Sequence, residues 1–348
     1  LATYINVKIN KLWIGDPEME LSVQKKAELI ETGGVVIDQS FRPYVSRATA
    51  GPGAGLESIF VSLDGHRVRL GVRQSSRFHA SLDGDVVTIY DESKEFVKGR
   101  LEEAISHCPN QVYITVSERC VQDCKFCSVP KLQGKIKSED EVLGMVRRGM
   151  ADPALSSISL TSGIWKTPEE EVDRVAGLVK LIHNEVAPRG IPIGVSVYPT
   201  ERSSEILKEA GAAEIKYNVE TVDPAIFRKV CPGLSQEYIV RALERSVPVF
   251  GRNHVFSNIL IGLGETDETV INGMEMLASK GVIPILRKVN PHPLRKGEVY
   301  VEPVSAGRLL RLASEERKIL EKHGLDVRQA VTGCLPCTGC DVSPVRDI

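Results

Sequence analysis

From residue 111 to about 289 the chain repeats one pattern six times, and this repeat restricts its fold more than any other feature. Apolar runs at 112–116, 158–160, 191–197, 213–219, 255–261 and 282–289 are each followed by an amphipathic segment with helix-start signals. Ser138 with Glu141 has capping-box spacing, Thr167-Pro168 with Glu170 gives a second start, and Thr266-Asp267-Glu268 a third. Strands rich in Val and Ile that alternate with helices imply a parallel sheet, with ligands gathered at the carboxyl ends of the strands. Six units predict an α/β fold with a partial (β/α)6 barrel of the TIM type, short of the closed eight.

The flanks read differently. Residues 1–107 carry a helix pattern over about 22–32 and then short β-branched runs at 59–63, 68–72 and 86–90. Turn signals at Asp64-Gly65 and Asp83-Gly84-Asp85 separate these runs, which suits hairpins. The glycine-rich stretch at 51–55 lacks the Lys-Ser/Thr of a phosphate loop and reads as an ordinary turn. A last helix spans about 305–323. The expected organisation is therefore a small α+β, β-rich N-terminal domain over 1–107, the barrel over 108–304, and a C-terminal helix and cysteine tail over 305–348.

Charge excludes some partners. Forty-four basic and 46 acidic residues leave a net charge of −2, which gives no field for coating nucleic acid. No window approaches the roughly 18 uninterrupted apolar residues of a membrane span. No signal peptide is visible, so a cytoplasmic location is expected.

Eight cysteines fall as two trios, Cys120/Cys124/Cys127 and Cys334/Cys337/Cys340, with Cys108 and Cys231 apart. Trio members two or three residues apart are too close to bridge one another comfortably, so metal is the leading reading. The first trio has the spacing C-x3-C-x2-C, with Phe126 before the third cysteine, and directly follows the first barrel strand. Three thiolates can bind three irons of a [4Fe–4S] cube and leave the fourth iron open. Structural zinc is the alternative, but it wants four protein ligands.

These features resemble the radical S-adenosylmethionine (SAM) superfamily, and within it the biotin synthase and lipoyl synthase group. The resemblance implies that Cys120, Cys124 and Cys127 hold a [4Fe–4S] cluster whose open iron is chelated by SAM. It also implies reductive cleavage of SAM to a 5′-deoxyadenosyl radical, and assigns Phe126 to the cofactor site. Thr161-Ser162-Gly163 stands where such families contact the SAM amino group, and the Trp165-Lys166-Thr167-Pro168 that follows looks like biotin synthase. Asn218 and Glu220 match the Asn-x-acidic element that holds the ribose, a carboxylate being well suited to vicinal hydroxyls. Arg228, in a run resembling lipoyl synthases, is a candidate clamp for the SAM carboxylate. Gly262 and Gly264, in Gly-Leu-Gly-Glu-Thr, match the element that packs the adenine.

The tail trio echoes ferredoxin loops but lacks their fourth cysteine. It predicts a second, auxiliary [4Fe–4S] cluster, with zinc as the alternative. Cys231 lies beyond strand four, on the expected active face, and is the favoured fourth ligand. Cys108 sits before strand one, about seven strand residues of roughly 3.3 Å each from that face. Ser343 is a further candidate. His254 and His292 could line the pocket or serve as bonded structural histidines, Asn290-Pro291-His292-Pro293 reads as a rim loop, and Trp165 as packing.

Auxiliary cysteines at the C-terminus most resemble the archaeal two-protein lipoyl synthase. That resemblance implies a radical SAM sulfurtransferase inserting sulfur into an octanoyl-lysyl carrier protein or lipoyl domain, with the auxiliary cluster as donor. A low-potential electron donor and a second radical SAM subunit are the other implied partners. The alternatives are a carbon-skeleton or fragmentation enzyme of the hydrogenase-maturation or methylornithine-synthase type, and a non-catalytic zinc or electron-transfer protein.

Overall fold

A computed structural model describes residues 17–348; residues 1–16 of the expected N-terminal domain lie outside the described residues. Helix α1 (Pro17–Thr32) leads into a seven-stranded sheet: β1 (Gly34–Ile37), β2 (Ser46–Arg47), β3 (Glu57–Leu63), β4 (His66–Val72), β5 (Phe78–Asp83), β6 (Val86–Asp91) and β7 (Lys94–Glu102). Its order is β2-β3-β4-β1-β5-β6-β7, and β3 also pairs with β7, so the sheet closes on itself. Both expected hairpins form, β3 with β4 and β5 with β6. Asp64, Gly65 and Gly84 take the positive φ that tight hairpin turns require.

The second sheet bears out the six-unit reading. Its strands are β8 (Gln111–Thr115), β9 (Ser157–Thr161), β10 (Ile193–Ser196), β11 (Glu214–Lys216), β12 (Val255–Ile261) and β13 (Ile283–Lys288). All five pairings are parallel, in the order β13-β12-β11-β10-β9-β8, so this is a partial barrel. The crossovers are α2 (Glu139–Met150), α3 (Pro168–Val186), α4 (Ser203–Glu209), α5 (Pro224–Val230) with α6 (Gln236–Phe250), and α7 (Asp267–Ser279); α8 (Ala306–Lys322) follows β13. Strand β12 is buried at six of its seven positions, as expected for a parallel strand covered on both faces.

The predicted caps hold. Ser138 Oγ accepts from the Glu141 N–H at 3.2 Å while the Glu141 carboxylate accepts from the Ser138 N–H at 2.9 Å. Thr167, Thr266 and Ser305 cap α3, α7 and α8 with one bond each, the side-chain oxygen accepting from the N–H three residues on, each cap contributing about 1 kcal/mol. Both sheets and α8 share one contiguous apolar core. Among the described residues no helix is long and apolar enough to cross a membrane.

After α8 the chain turns back under the barrel. Glu214, first residue of β11, accepts from the N–H groups of Val331 at 2.9 Å and Thr332 at 2.8 Å, and from Thr332 Oγ1 at 2.5 Å. Gln111, first residue of β8, exchanges two hydrogen bonds with the Gly333 backbone at 2.9 and 3.0 Å. Gly194 on β10 leaves the space that the Thr332 hydroxyl fills. The tail therefore enters at the amino ends of the strands and continues through α9 (Cys334–Cys337) to the first sheet, where the Arg69 N–H donates to the Gly339 carbonyl at 2.6 Å. Fully buried Lys26 binds Asp347 at 2.7 Å and the Thr338 carbonyl at 2.9 Å, while His66 meets the other Asp347 oxygen at 2.8 Å.

Candidate active site

The loop carrying the first trio rises from the carboxyl end of β8 and is tied to the end of β9. The Val116 N–H donates to the Thr161 carbonyl at 2.8 Å, the Gly163 N–H to the Ser117 carbonyl at 3.0 Å, and the Val121 N–H to the Ile164 carbonyl at 2.7 Å. Ser117 Oγ and Ser162 Oγ both donate to the buried Glu171 carboxylate, at 3.1 and 2.5 Å, and Arg174 holds that carboxylate at 2.6 Å. The Ile164 N–H points at Cys120 Sγ, 3.4 Å away. From the other side the Val230 carbonyl accepts from the Lys125 N–H at 2.7 Å, and Arg295 Nε donates to the Cys127 carbonyl at 2.6 Å. The loop is held at both flanks before any cofactor arrives.

The trio opens on a cavity of about 400 Å³ that runs through the barrel. Cys120, Cys124, Cys127 and Phe126 line it on one side; Cys334, Cys337 and Cys340 line it on the other. Burial raises the Cys120 thiol and pushes Cys127 up to about 12, so the metal-free chain keeps these groups as thiols. Three thiols that face one cavity match the donor set of a site-differentiated cube. No three His, Cys, Asp or Glu side chains among the described residues converge closely enough to hold one ion.

The candidate SAM residues divide into two groups. Thr161, Ser162 and Gly163 at the end of β9, and Asn218 and Glu220 beyond β11, face the cavity beside the trio. Glu220 has a φ of 61°, uncommon for a residue with a side chain and a mark of stored strain. Its N–H donates to the Asn258 carbonyl at 3.1 Å and its carbonyl accepts from the Leu260 N–H at 2.5 Å, which fixes it against β12. Burial pushes its carboxyl up to about 7, against the pull of Lys216 and an Asn218 hydrogen bond. Beside it, the buried Asn258 Oδ1 has no hydrogen-bond partner among the described residues, so a polar ligand group fits there.

The others lie elsewhere. Arg228 is exposed on α5 and does not line the cavity, so it is not placed to clamp a SAM carboxylate. Gly262 turns its open side to Glu302 and Val304, and Gly264 faces open space; the Glu265 carboxylate folds back onto the Gly262 and Leu263 N–H groups at 2.8 Å each. This element shapes the turn after β12 and does not line the cavity.

The fourth-ligand expectation is corrected. Cys231 caps α5 beside the first trio, and its neighbour Cys124 together with burial holds its proton on. The tail never climbs to the active face, because Glu214 and Gln111 catch it at the amino ends of the strands. Cys108, on that rim, is the cysteine packed against Cys337. Ser343 is buried, its Oγ accepting from the Arg346 N–H, and lies off the cavity. His254 bonds Glu214 and His292 bonds the Ala54 carbonyl, both at 3.1 Å, so both serve the structure. Trp165 is neither core nor cavity wall; it lies on the surface under the Lys166 ammonium, 4.6 Å from the ring centre.

Sequence reasoning missed Lys216, Tyr113, Asn258 and Arg287, all of which line the cavity. Lys216 lies between the two thiol sets, 3.7 Å from Cys334 Sγ. Burial works against its charge, and Cys334, Tyr113 and Glu220 outweigh it. The strand period could have found Tyr113, since alternate residues of β8 face inward.

Residues 114–277 match the model of the Radical SAM superfamily. The bacteriochlorophyllide c C-7(1)-hydroxylase of Chlorobaculum limnaeum is 25% identical over 287 residues, covering 66% of this chain and 70% of that protein. The lipoyl synthase of Glaesserella parasuis serovar 5 is 27% identical over 188 residues, 52% of this chain and 57% of that protein. The crystal structure of methylornithine synthase superposes with a TM-score of 0.51 at 21% identity, covering 59% of this chain and 62% of that one. Residues 114–277 of this chain therefore carry a radical SAM domain.

Proposed function

We propose that this protein is a radical SAM sulfurtransferase that inserts sulfur into an octanoyl-lysyl group on a carrier protein or lipoyl domain. The observation that carries the reading is the single cavity bounded by both cysteine trios. With its cluster and SAM bound, such a site supplies a 5′-deoxyadenosyl radical that removes hydrogen from an unactivated C–H bond. The residues present suit the remaining tasks. Asn218, Glu220 and Asn258 offer polar groups to the nucleotide, and the Ser117–Ser162–Glu171–Arg174 network fixes the cluster loop.

Both trios line this chamber, so a sulfide held by the tail cysteines would share it with a carbon that had lost hydrogen. Each C–H replaced by C–S would consume one SAM and the one electron that cleaves it, release 5′-deoxyadenosine and methionine, and take one sulfide from the auxiliary cluster, whose ferric iron would accept the electron set free as the C–S bond forms. The electron calls for a low-potential donor, and a two-protein arrangement would add a second radical SAM subunit; the cytoplasm supplies both. The similarity to a lipoyl synthase supports the octanoyl substrate.

The test is anaerobic incubation of reconstituted protein with SAM, a strong reductant and an octanoyl-lysyl peptide. Deoxyadenosine together with a thiolated peptide is expected. Deoxyadenosine with an unchanged peptide would count against sulfur insertion and leave the fragmentation chemistry standing.

A further inference from the structure

Under the barrel, four thiols line one cavity where the tail spacing supplies three. Cys108 is buried against Cys337 and Phe60, with Ala104 and Tyr113 packed on them. Cys108 and Cys337 pack directly against each other, and all of Cys108, Cys334, Cys337 and Cys340 face the same cavity. The short bridge between Cys108 and Gln111 fixes the first of these at the rim, and Gln111 in turn grips Gly333, one residue before Cys334. One residue, Gln111, thus sets the approach of both segments, the first through its backbone and the second through its side chain.

The surroundings are positive. Arg67 donates to the Cys337 carbonyl at 3.2 Å, Lys216 stands 3.7 Å from Cys334 Sγ, and half-buried Arg287 pairs with Asp341 at 3.3 Å. A cube with four thiolate ligands carries net negative charge and suits this setting. A single zinc ion would need its sulfurs drawn in by bonds of about 2.3 Å. The described side chains show no such convergence.

We propose that Cys108, Cys334, Cys337 and Cys340 together ligate the second iron–sulfur cube, with Cys108 as its fourth ligand. This rests on the reading that the tail trio holds a cluster. Every iron of that cube then has a protein ligand, so neither SAM nor substrate binds an open iron there. The sulfides are the atoms left to react.

The experiment is iron and sulfide analysis, with EPR of the reduced and oxidised states, on the full chain reconstituted anaerobically as wild type, C108A, C108S and C231A. Wild type is expected to hold about eight irons from two cubes. C108A should fall toward about four, or give a three-iron signal on oxidation, while C231A keeps the tail centre; C108S, with an oxygen ligand in place, should recover part of the loss. Circular dichroism separates iron loss from misfolding, and C108S decides the matter if C108A does not fold. C108A with full iron and unchanged spectra would overturn the assignment, as would loss of the tail centre in C231A. Wild type with about four irons, or with stoichiometric zinc, would instead remove the underlying reading of a second cluster.

Discussion

A β-carbon on Gly163 would stand 3.1 Å from the β-carbon of Cys120 and would run into the Arg119 carbonyl. The loop bearing the first trio lies flat on the end of β9 because position 163 has no side chain. Gly163→Ala must push that loop away, an overpacking cost of about 1–3 kcal/mol. The expected result is a fold that persists, measured by circular dichroism, with loss of iron from the first centre and a fall in deoxyadenosine formation. Full iron with normal SAM cleavage in this variant would show that the loop does not depend on the contact.

The six strands, their crossovers and the first trio were legible because their signals are local. Period, cap and cysteine spacing each act within a few residues of chain. That Cys108, and not Cys231, packs against the tail was not legible. Choosing between Cys108 and Cys231 depends on which end of the barrel the tail enters, and that is decided by Glu214 and Gln111, more than a hundred residues before it. Arg228 and Gly262 were misplaced for a related reason: a motif fixes residue order but not the side from which a short helix or a turn faces the cavity. Lys216 carries no motif, being one Lys among 44 basic residues until β11 points it inward.

The tail is anchored by a buried charge cluster, and that predicts an asymmetric response to mutation. Asp347 receives Lys26 at 2.7 Å and His66 at 2.8 Å, with both Lys26 and Asp347 side chains shielded from solvent. Asp347→Asn leaves a buried ammonium without its counter-charge, at a cost of about 3–5 kcal/mol. Chemical denaturation should show that loss, and the tail centre should lose iron before the first centre does. A Lys26→Met/Asp347→Leu double variant, which removes both charges, should be the more stable of the two.

Glu220 predicts a pH dependence of known sign. Burial raises its carboxyl from 4.5 to about 7, so the folded chain binds this proton more tightly than the unfolded chain. Stability linked to it is complete below 4.5 and is lost as pH rises through about 7. At about 1.4 kcal/mol per unit the loss is about 3 kcal/mol. Denaturant melts across that window should slope downward in wild type and lose this component in Glu220→Gln. Equal slopes in the two proteins would mean that Glu220 is not titrating there.

The two trios share a cavity but have separate tasks, so a variant in the tail should uncouple them. Cys337 contacts Cys108 and accepts no bond from the loop that bears the first trio, whose ties run to β9, Val230 and Arg295. On the proposed function, Cys337→Ala removes a ligand of the sulfur donor while the elements that hold the first trio stay in place. The ratio of deoxyadenosine formed to thiolated peptide formed should therefore rise sharply, with the peptide product falling toward zero, measured by mass spectrometry of one reaction mixture. An unchanged ratio would show that the tail trio does not donate sulfur. A parallel loss of both products would place Cys337 among the residues on which the first centre depends, through the chamber the two trios share.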